Sequence, residues 1–197
     1  MKVVLFGLGA IGSNLFISLL RQFPDWEFVG VDFDKIEDRN LRTQAYFKER
    51  VGMPKATALT VLGNRYVNKL KYTPVNVKIR ENTVIDRTIS VADLWVDCFD
   101  NSLSRSLLKE LVSTACIDVD MLHLGFSPLY SAECIWDANY DVPNDVDAKH
   151  GDICSMADAV GFMQMFIGLA VMNISAWVQT REKKDFLVMH KNQIRQI

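Results

Sequence analysis

KVVLFGLGAIGSNLFISLLRQF, residues 2–23, sets a short apolar run against a loop containing Gly7, Gly9 and Gly12, then apolar residues at helical spacing. The pattern predicts a buried strand, a tight glycine turn and a helix. Pro24 stops that helix, and EFVGVDFD (27–34) reads as a second buried strand with Asp32 near its end. In a G-x-G-x-x-G loop the glycines permit a sharp turn and close backbone approach. The helix start offers free N–H groups to phosphate, and an acidic residue after the next strand can hold ribose hydroxyls. On these residues alone the site suits NAD as well as ATP.

Outward from this unit, strand and helix patterns keep alternating. A polar stretch (35–53) crosses to Pro54, which fits the first turn of a helix over 54–70. TPVNVKI (73–79) and ADLWVDCF (92–99) read as strands, and residues 101–116 as an amphipathic helix. VDMLHLGF and YSAECIWD suggest a strand pair, followed by an acidic Pro/Asn/Gly-bearing loop (138–152). A long apolar helix (159–180) and a strand, DFLVMH, close the chain. The expected fold is α/β: one Rossmann-like nucleotide-binding domain over residues 1–197, its sheet mainly parallel with helices on both faces and its later strands partly antiparallel.

Bulk properties exclude several classes. Among 197 residues the net charge is −2 with no basic block, which argues against nucleic acid or an anionic membrane surface as partner. The cysteines at 98, 116, 134 and 154 are scattered, so no zinc is expected and a reducing cytoplasm is the natural setting. No signal peptide is expected, because the apolar start runs straight into the glycine loop. Residues 159–180 are uncharged over about a bilayer's width. Gln164, Asn173 and Ser175 interrupt them, so a buried or interface helix is the expectation.

Further motifs narrow the ligand. After Asp32 come Asp34, Asn40-Leu41, Gln44, Gly52-x-Pro54-Lys55 and Asp97-x-x-Asp100-Asn101-x-x-x-Arg105. In this order and spacing the chain resembles the ThiF/MoeB family, the bacterial relatives of ubiquitin-activating enzymes; the HesA proteins belong to the same group. The resemblance runs from Lys2 to about Arg105 and returns weakly in the long helix. It implies adenylation of a carboxylate: attack on the α-phosphorus of ATP, with pyrophosphate leaving. Such a site must neutralise a triphosphate and orient the attacking oxygen. By resemblance, Gly7, Gly9 and Gly12 cradle ATP, Asp32 holds the ribose, and Asn40 and Lys55 face the phosphates. Asp34, Gln44 and Asn101 complete the nucleotide site, and Asp100 carries Mg²⁺, a role that suits a hard carboxylate beyond a strand's carboxyl end. Arg105 is expected in a structural ion pair, and Asn101 as a cap on the next helix.

Two departures matter. Where the family has N-L-x-R-Q this chain has Asn40-Leu41-Arg42-Thr43-Gln44, so Thr43 stands in place of a phosphate-binding arginine and Arg42 lies next door. A neighbouring guanidinium does not automatically reproduce forked phosphate contacts. The family also has a helical segment before the first strand, with an arginine reaching a partner subunit's ATP, whereas this chain opens on the strand. Less positive charge around the triphosphate is therefore expected. Gly161 and Gly168 follow Cys154 at a spacing similar to sulfur-carrier-activating members, which makes Cys154 a candidate nucleophile with His150 as its base. Cys98, Cys116 and Cys134 read as core residues.

The expected function is ATP·Mg²⁺-dependent adenylation of the C-terminal carboxylate of a small ubiquitin-like or sulfur-carrier β-grasp protein, by a homodimer or with a tight hetero-partner. The alternatives are a catalytically impaired nucleotide-binding assembly subunit of the same fold, and an NAD(P)-dependent oxidoreductase.

Overall fold

The computed structural model describes residues 1–81, 83, 85–114, 119–127, 131–142, 159–189 and 193–196. They build β1 (Lys2–Phe6), α1 (Ala10–Gln22), β2 (Glu27–Val31), α2 (Lys55–Gly63), β3 (Tyr72–Val75) and a short α3 (Arg87–Ser90). Next come β4 (Leu94–Asp97), α4 (Ser102–Thr114), β5 (Asp120–Ser127), β6 (Ser131–Trp136), α5 (Ala159–Thr180), β7 (Phe186–Met189) and β8 (Gln193–Gln196). All eight strands form one sheet in the order β3-β2-β1-β4-β5-β6-β7-β8. The first five are parallel, and β6, β7 and β8 add antiparallel.

Alternation along β1 explains the layers, since successive side chains of a strand point to opposite faces. Val3 and Leu5 join a core under α1, α2 and α5, built from residues such as Leu15, Phe16, Leu59, Phe166 and Trp177. Val4 and Phe6 join a second core with Leu107 and Leu108 of α4, Ile89 of α3 and Trp95. Both faces of the parallel half are thus covered, as its uninterrupted apolar strands require. The chain order reverses between β1 and β4, which lays the carboxyl ends of those strands open as a ligand crevice.

α5 spans the residues expected and is long and apolar enough to cross a membrane. Here it packs along α1 and the sheet, burying Phe162, Phe166, Ile167, Ile174 and Trp177. Gln22 and Ser175 join the two helices by a 2.7 Å hydrogen bond.

Several boundaries differ from the sequence expectation. The helix expected over 54–70 ends at Gly63, where Asn64 takes the C-cap and its N–H bonds Thr60 O and Leu62 O. The strand expected over 73–79 occupies only Tyr72–Val75, at the sheet edge where Pro74 needs no donor. The polar crossing is ordered by two 3₁₀ turns, Asp38–Arg42 and Lys48–Arg50, and by a bridge between Lys35 and Pro54. β8 was not foreseen: a run of mainly polar residues supplies no periodic signal, and pairing with β7 creates the strand. Cys116 lies outside the described residues.

Trp177 is 1% exposed, with its ring centroid 5.5 Å from that of Trp136. Trp177→Ala is expected to lower unfolding free energy by about 3–5 kcal/mol, whereas Met172→Ala on the exposed face of α5 should stay within about 0.5 kcal/mol; urea denaturation of both variants checks the contrast.

Candidate nucleotide site

Backbone geometry makes the glycine loop. Gly7 has φ +83°, and a Cβ there would meet Cys98 O at 2.9 Å. A Cβ on Gly12 would lie 2.0 Å from Gly7 O, so the helix starts pressed against the turn it follows. Gly9 is different: the nearest atom to its Cβ position is Gln44 Nε2 at 4.0 Å, which leaves an open face. α1 begins there with no side-chain cap and no acidic residue in its first turn. Its leading N–H groups therefore face the crevice as an anion site.

Asp32 anchors the loop. Its carboxylate accepts from Leu8 N and Asp34 N, each at 2.7 Å, while Gly7 N bonds Val31 O. Burial raises the Asp32 carboxyl above its ordinary 3.8, opposed by the charge of Lys55 and by those two N–H donors. As pH climbs past 3.8 the unfolded chain gives up this proton first, so stability falls through the window between the two values and stays lower above it. A carboxylate buried at such a cost beside a glycine loop is a candidate for function as well as for structure.

Lys55 opens α2 and is 7% exposed, with Nζ 3.1 Å from Asp34 Oδ2 and its N–H bonded to Asp34 O. It is thus a buried, paired cation rather than a solvated lysine at a helix start. Tyr46, unnoticed in the sequence, ties the crossing segment to the loop by donating to Leu8 O at 2.8 Å. Gln44 lies beside Gly9, and its Oε1 is buried with no hydrogen-bond partner among the described residues. An amide whose two ends are assigned by hydrogen bonding, left unsatisfied at an uncapped helix start, suits a polar ligand there.

The remaining residues divide. Asn40 Oδ1 takes Glu37 N at 2.8 Å and so organises the 3₁₀ turn. Thr43 is buried, with its carbonyl held by Asn14 Nδ2, whereas Arg42 is exposed. The position where the family carries arginine therefore faces the interior. Asp100 is exposed just past β4, and Asn101 caps α4 by accepting from Ser104 N at 2.9 Å. Gly7 packs on Cys98 and Phe99, so the Asp100 turn abuts the glycine loop. Arg105 is buried and its Nε donates to Phe99 O at 2.9 Å; no ion pair of Arg105 is seen among the described residues.

No group of three metal-ligating side chains occurs among the described residues. A lone exposed carboxylate such as Asp100 matches Mg²⁺, which is commonly held by one or two carboxylates and substrate phosphates. Burial pushes the Cys134 thiol up to about 12 and the Cys98 thiol well above 9.0, which leaves both protonated core groups. Cys154 and His150 lie outside the described residues.

A Rossmann-like turn with an uncapped helix start, a loop-anchoring aspartate and a buried lysine is the framework of a Rossmann-like nucleotide-binding fold. The chain matches the ThiF family over residues 1–176 and belongs to it. Solved structures of similar fold include E. coli MccB with ATP, at TM-score 0.73 and 16% identity over 100% of this chain and 63% of that one. E. coli MccB with MccA-N7isoAsn gives 0.75 and 16%, covering 100% and 64%, and PaaA gives 0.73 and 15%, covering 100% and 63%. At such identities the likeness is one of fold, and this chain spans less than two thirds of the length of these relatives. No functionally curated protein matches the chain.

Gly12→Ala should destabilise the fold by about 3 kcal/mol or more, because the clash is with backbone. Gly9→Ala should remain within about 1 kcal/mol; paired thermal and urea unfolding of the two variants checks this.

Proposed function

We propose that the protein is an ATP·Mg²⁺-dependent adenylyltransferase that activates the C-terminal carboxylate of a polypeptide tail, in the first instance a ubiquitin-like or sulfur-carrier β-grasp protein. The observation that supports this reading is Lys55, a buried cation whose charge acts on Asp32, together with the uncapped start of α1 and the open face of Gly9. ATP and its metal are substrates here. The α1 N–H groups and Lys55 would hold the phosphates, Asp32 the ribose, and Asp100 the magnesium. A carboxylate oxygen then attacks the α-phosphorus, the bond to the bridging oxygen breaks, and pyrophosphate leaves with that electron pair. The chain's own task is positioning and charge neutralisation.

Two structures of one relative support the substrate class: MccB has been solved with ATP, and, named as the microcin C7 biosynthetic enzyme, with N-formylated MccA. A flexible glycine-ended tail is the form of carboxylate that best threads into a closed site. The outer face of α5, with Met172 exposed, would supply the contact for a second copy or a partner chain.

Thr43 favours a second reading. Its buried side chain leaves the family's arginine position without a cation, and Arg42 beside it is exposed. In that reading the chain is an impaired nucleotide-binding subunit that depends on another chain for turnover.

Calorimetric titration with ATP·Mg²⁺ and with NAD, followed by pyrophosphate exchange with β-grasp proteins, tests the proposal. Magnesium-dependent ATP binding is expected, weakened about tenfold or more by Lys55→Ala and by Asp100→Ala, with NAD silent. NAD binding without ATP binding would overturn the adenylation reading. ATP binding without exchange, with Arg42→Ala neutral and Thr43→Arg gaining exchange, would favour the impaired subunit.

A further inference from the structure

Beneath the Asp100 turn lies a buried polar cluster that the nucleotide site does not use. Asp97 ends β4 and is fully buried. Its Oδ1 accepts from Phe99 N at 3.0 Å, inside the turn that leads to Asp100. Its Oδ2 receives two further partners from distant parts of the chain. His123 of β5 approaches with Nδ1 at 2.8 Å, and Tyr140, beyond β6, donates its hydroxyl at 2.6 Å. The two rings stack on each other, with centroids 3.7 Å apart and planes 14° from parallel. Glu133 of β6 lies 3.3 Å from the other imidazole nitrogen, and Lys109 of α4 bonds the Tyr140 carbonyl at 2.6 Å.

Three bonds of this cluster converge on Asp97, and Asp97 bears on the turn. Arg105 holds Phe99 O while Asp97 holds Phe99 N, so the two peptide groups that flank Phe99 are both fixed. A buried carboxylate whose oxygens meet Phe99 N, His123 Nδ1 and the Tyr140 hydroxyl is costly unless all three partners are present. Two of the three come from β5 and the segment after β6, and both meet the turn at Asp97. A fold that needed only apolar filling at this place had a cheaper solution in packed hydrocarbon.

We propose that His123 and Tyr140 are positioning residues that act through Asp97 to fix the 97–101 turn and so hold the Asp100 carboxylate where it receives magnesium. The proposal rests on the adenylation reading for the role of Asp100, but the brace itself is a property of the free protein.

Tyr140→Phe removes the hydroxyl and keeps the ring stack. Amide hydrogen exchange at Phe99, measured on the free chain, should quicken about tenfold for loss of one bond to a charged group. In calorimetric titrations the magnesium concentration needed for half-maximal ATP binding should rise about three- to tenfold, while ATP affinity in EDTA stays unchanged. His123→Leu should shift both readouts in the same sense, and His123→Asn, which can keep a donor toward Asp97, should restore much of each. Trp177→Phe, in the opposite core, should lower the thermal midpoint and move neither, which separates positioning from general weakening. Unaltered exchange at Phe99 in Tyr140→Phe would overturn the brace whatever the nucleotide result. Faster exchange with an unchanged magnesium requirement would overturn the link to Asp100. Absence of magnesium-dependent ATP binding in the unaltered chain would instead overturn the proposed function, and the link to the metal with it.

Discussion

The carbonyl of Gly7 occupies the space in which any side chain on Gly12 would begin, and the rest of the molecule is arranged around that contact. Because α1 can start so close to β1, its uncapped end is delivered to the sheet's carboxyl edge with the N–H groups unobstructed. Gly7 in turn sits against Cys98 and Phe99, which sets the separation of the β1 and β4 exits. Asp32 then closes the arrangement by gripping the backbone beyond β1 and beyond β2, at Leu8 and at Asp34. Three backbone segments are thereby fixed to one another before any ligand arrives. Preorganisation of this kind is where a phosphate site gains most, since N–H dipoles already aimed at the anion need no reorganisation when it binds.

The two halves of the sheet do different work. Its parallel half, from β3 to β5, carries the crevice and is sealed by helices on both faces. The antiparallel half, β6 to β8, gives α5 a surface to bury and supplies Glu133. Tyr140, just past β6, reaches back to Asp97 and joins this half to the chemistry of the other. A substitution far along the chain can therefore disturb the crevice by way of a single carboxylate.

Much of this is legible in the residues, and the pattern of what is not follows from range. The β1–α1 unit, Asp32 and the apolar span of α5 are written locally, in glycine spacing and in apolar periodicity, and they stand where those patterns put them. Lys55 was visible as a motif residue, but its burial beside Asp34 depends on a bridge between Lys35 and Pro54 that no local pattern encodes. β8 exists only through pairing with β7, and β3 is shortened by its place at an edge. In the sequence Asp97 stands merely as the first residue of a motif. Its partners lie 26 and 43 residues away, and neither His123 nor Tyr140 has neighbours in sequence that announce a polar contact. Tyr46 escaped for the same reason.

The pairing of Lys55 with Asp34 gives the crevice a resident counter-ion. On the proposed adenylation reading an incoming phosphate would not meet a bare cation; it would compete with a carboxylate already in place. Its net gain would be the difference between two ion pairs rather than the whole of one, and the displaced Asp34, half exposed, could turn to solvent at little cost. On departure of the phosphate the carboxylate would return, so the buried lysine would never be left uncompensated. Such an exchange would weaken binding and ease release.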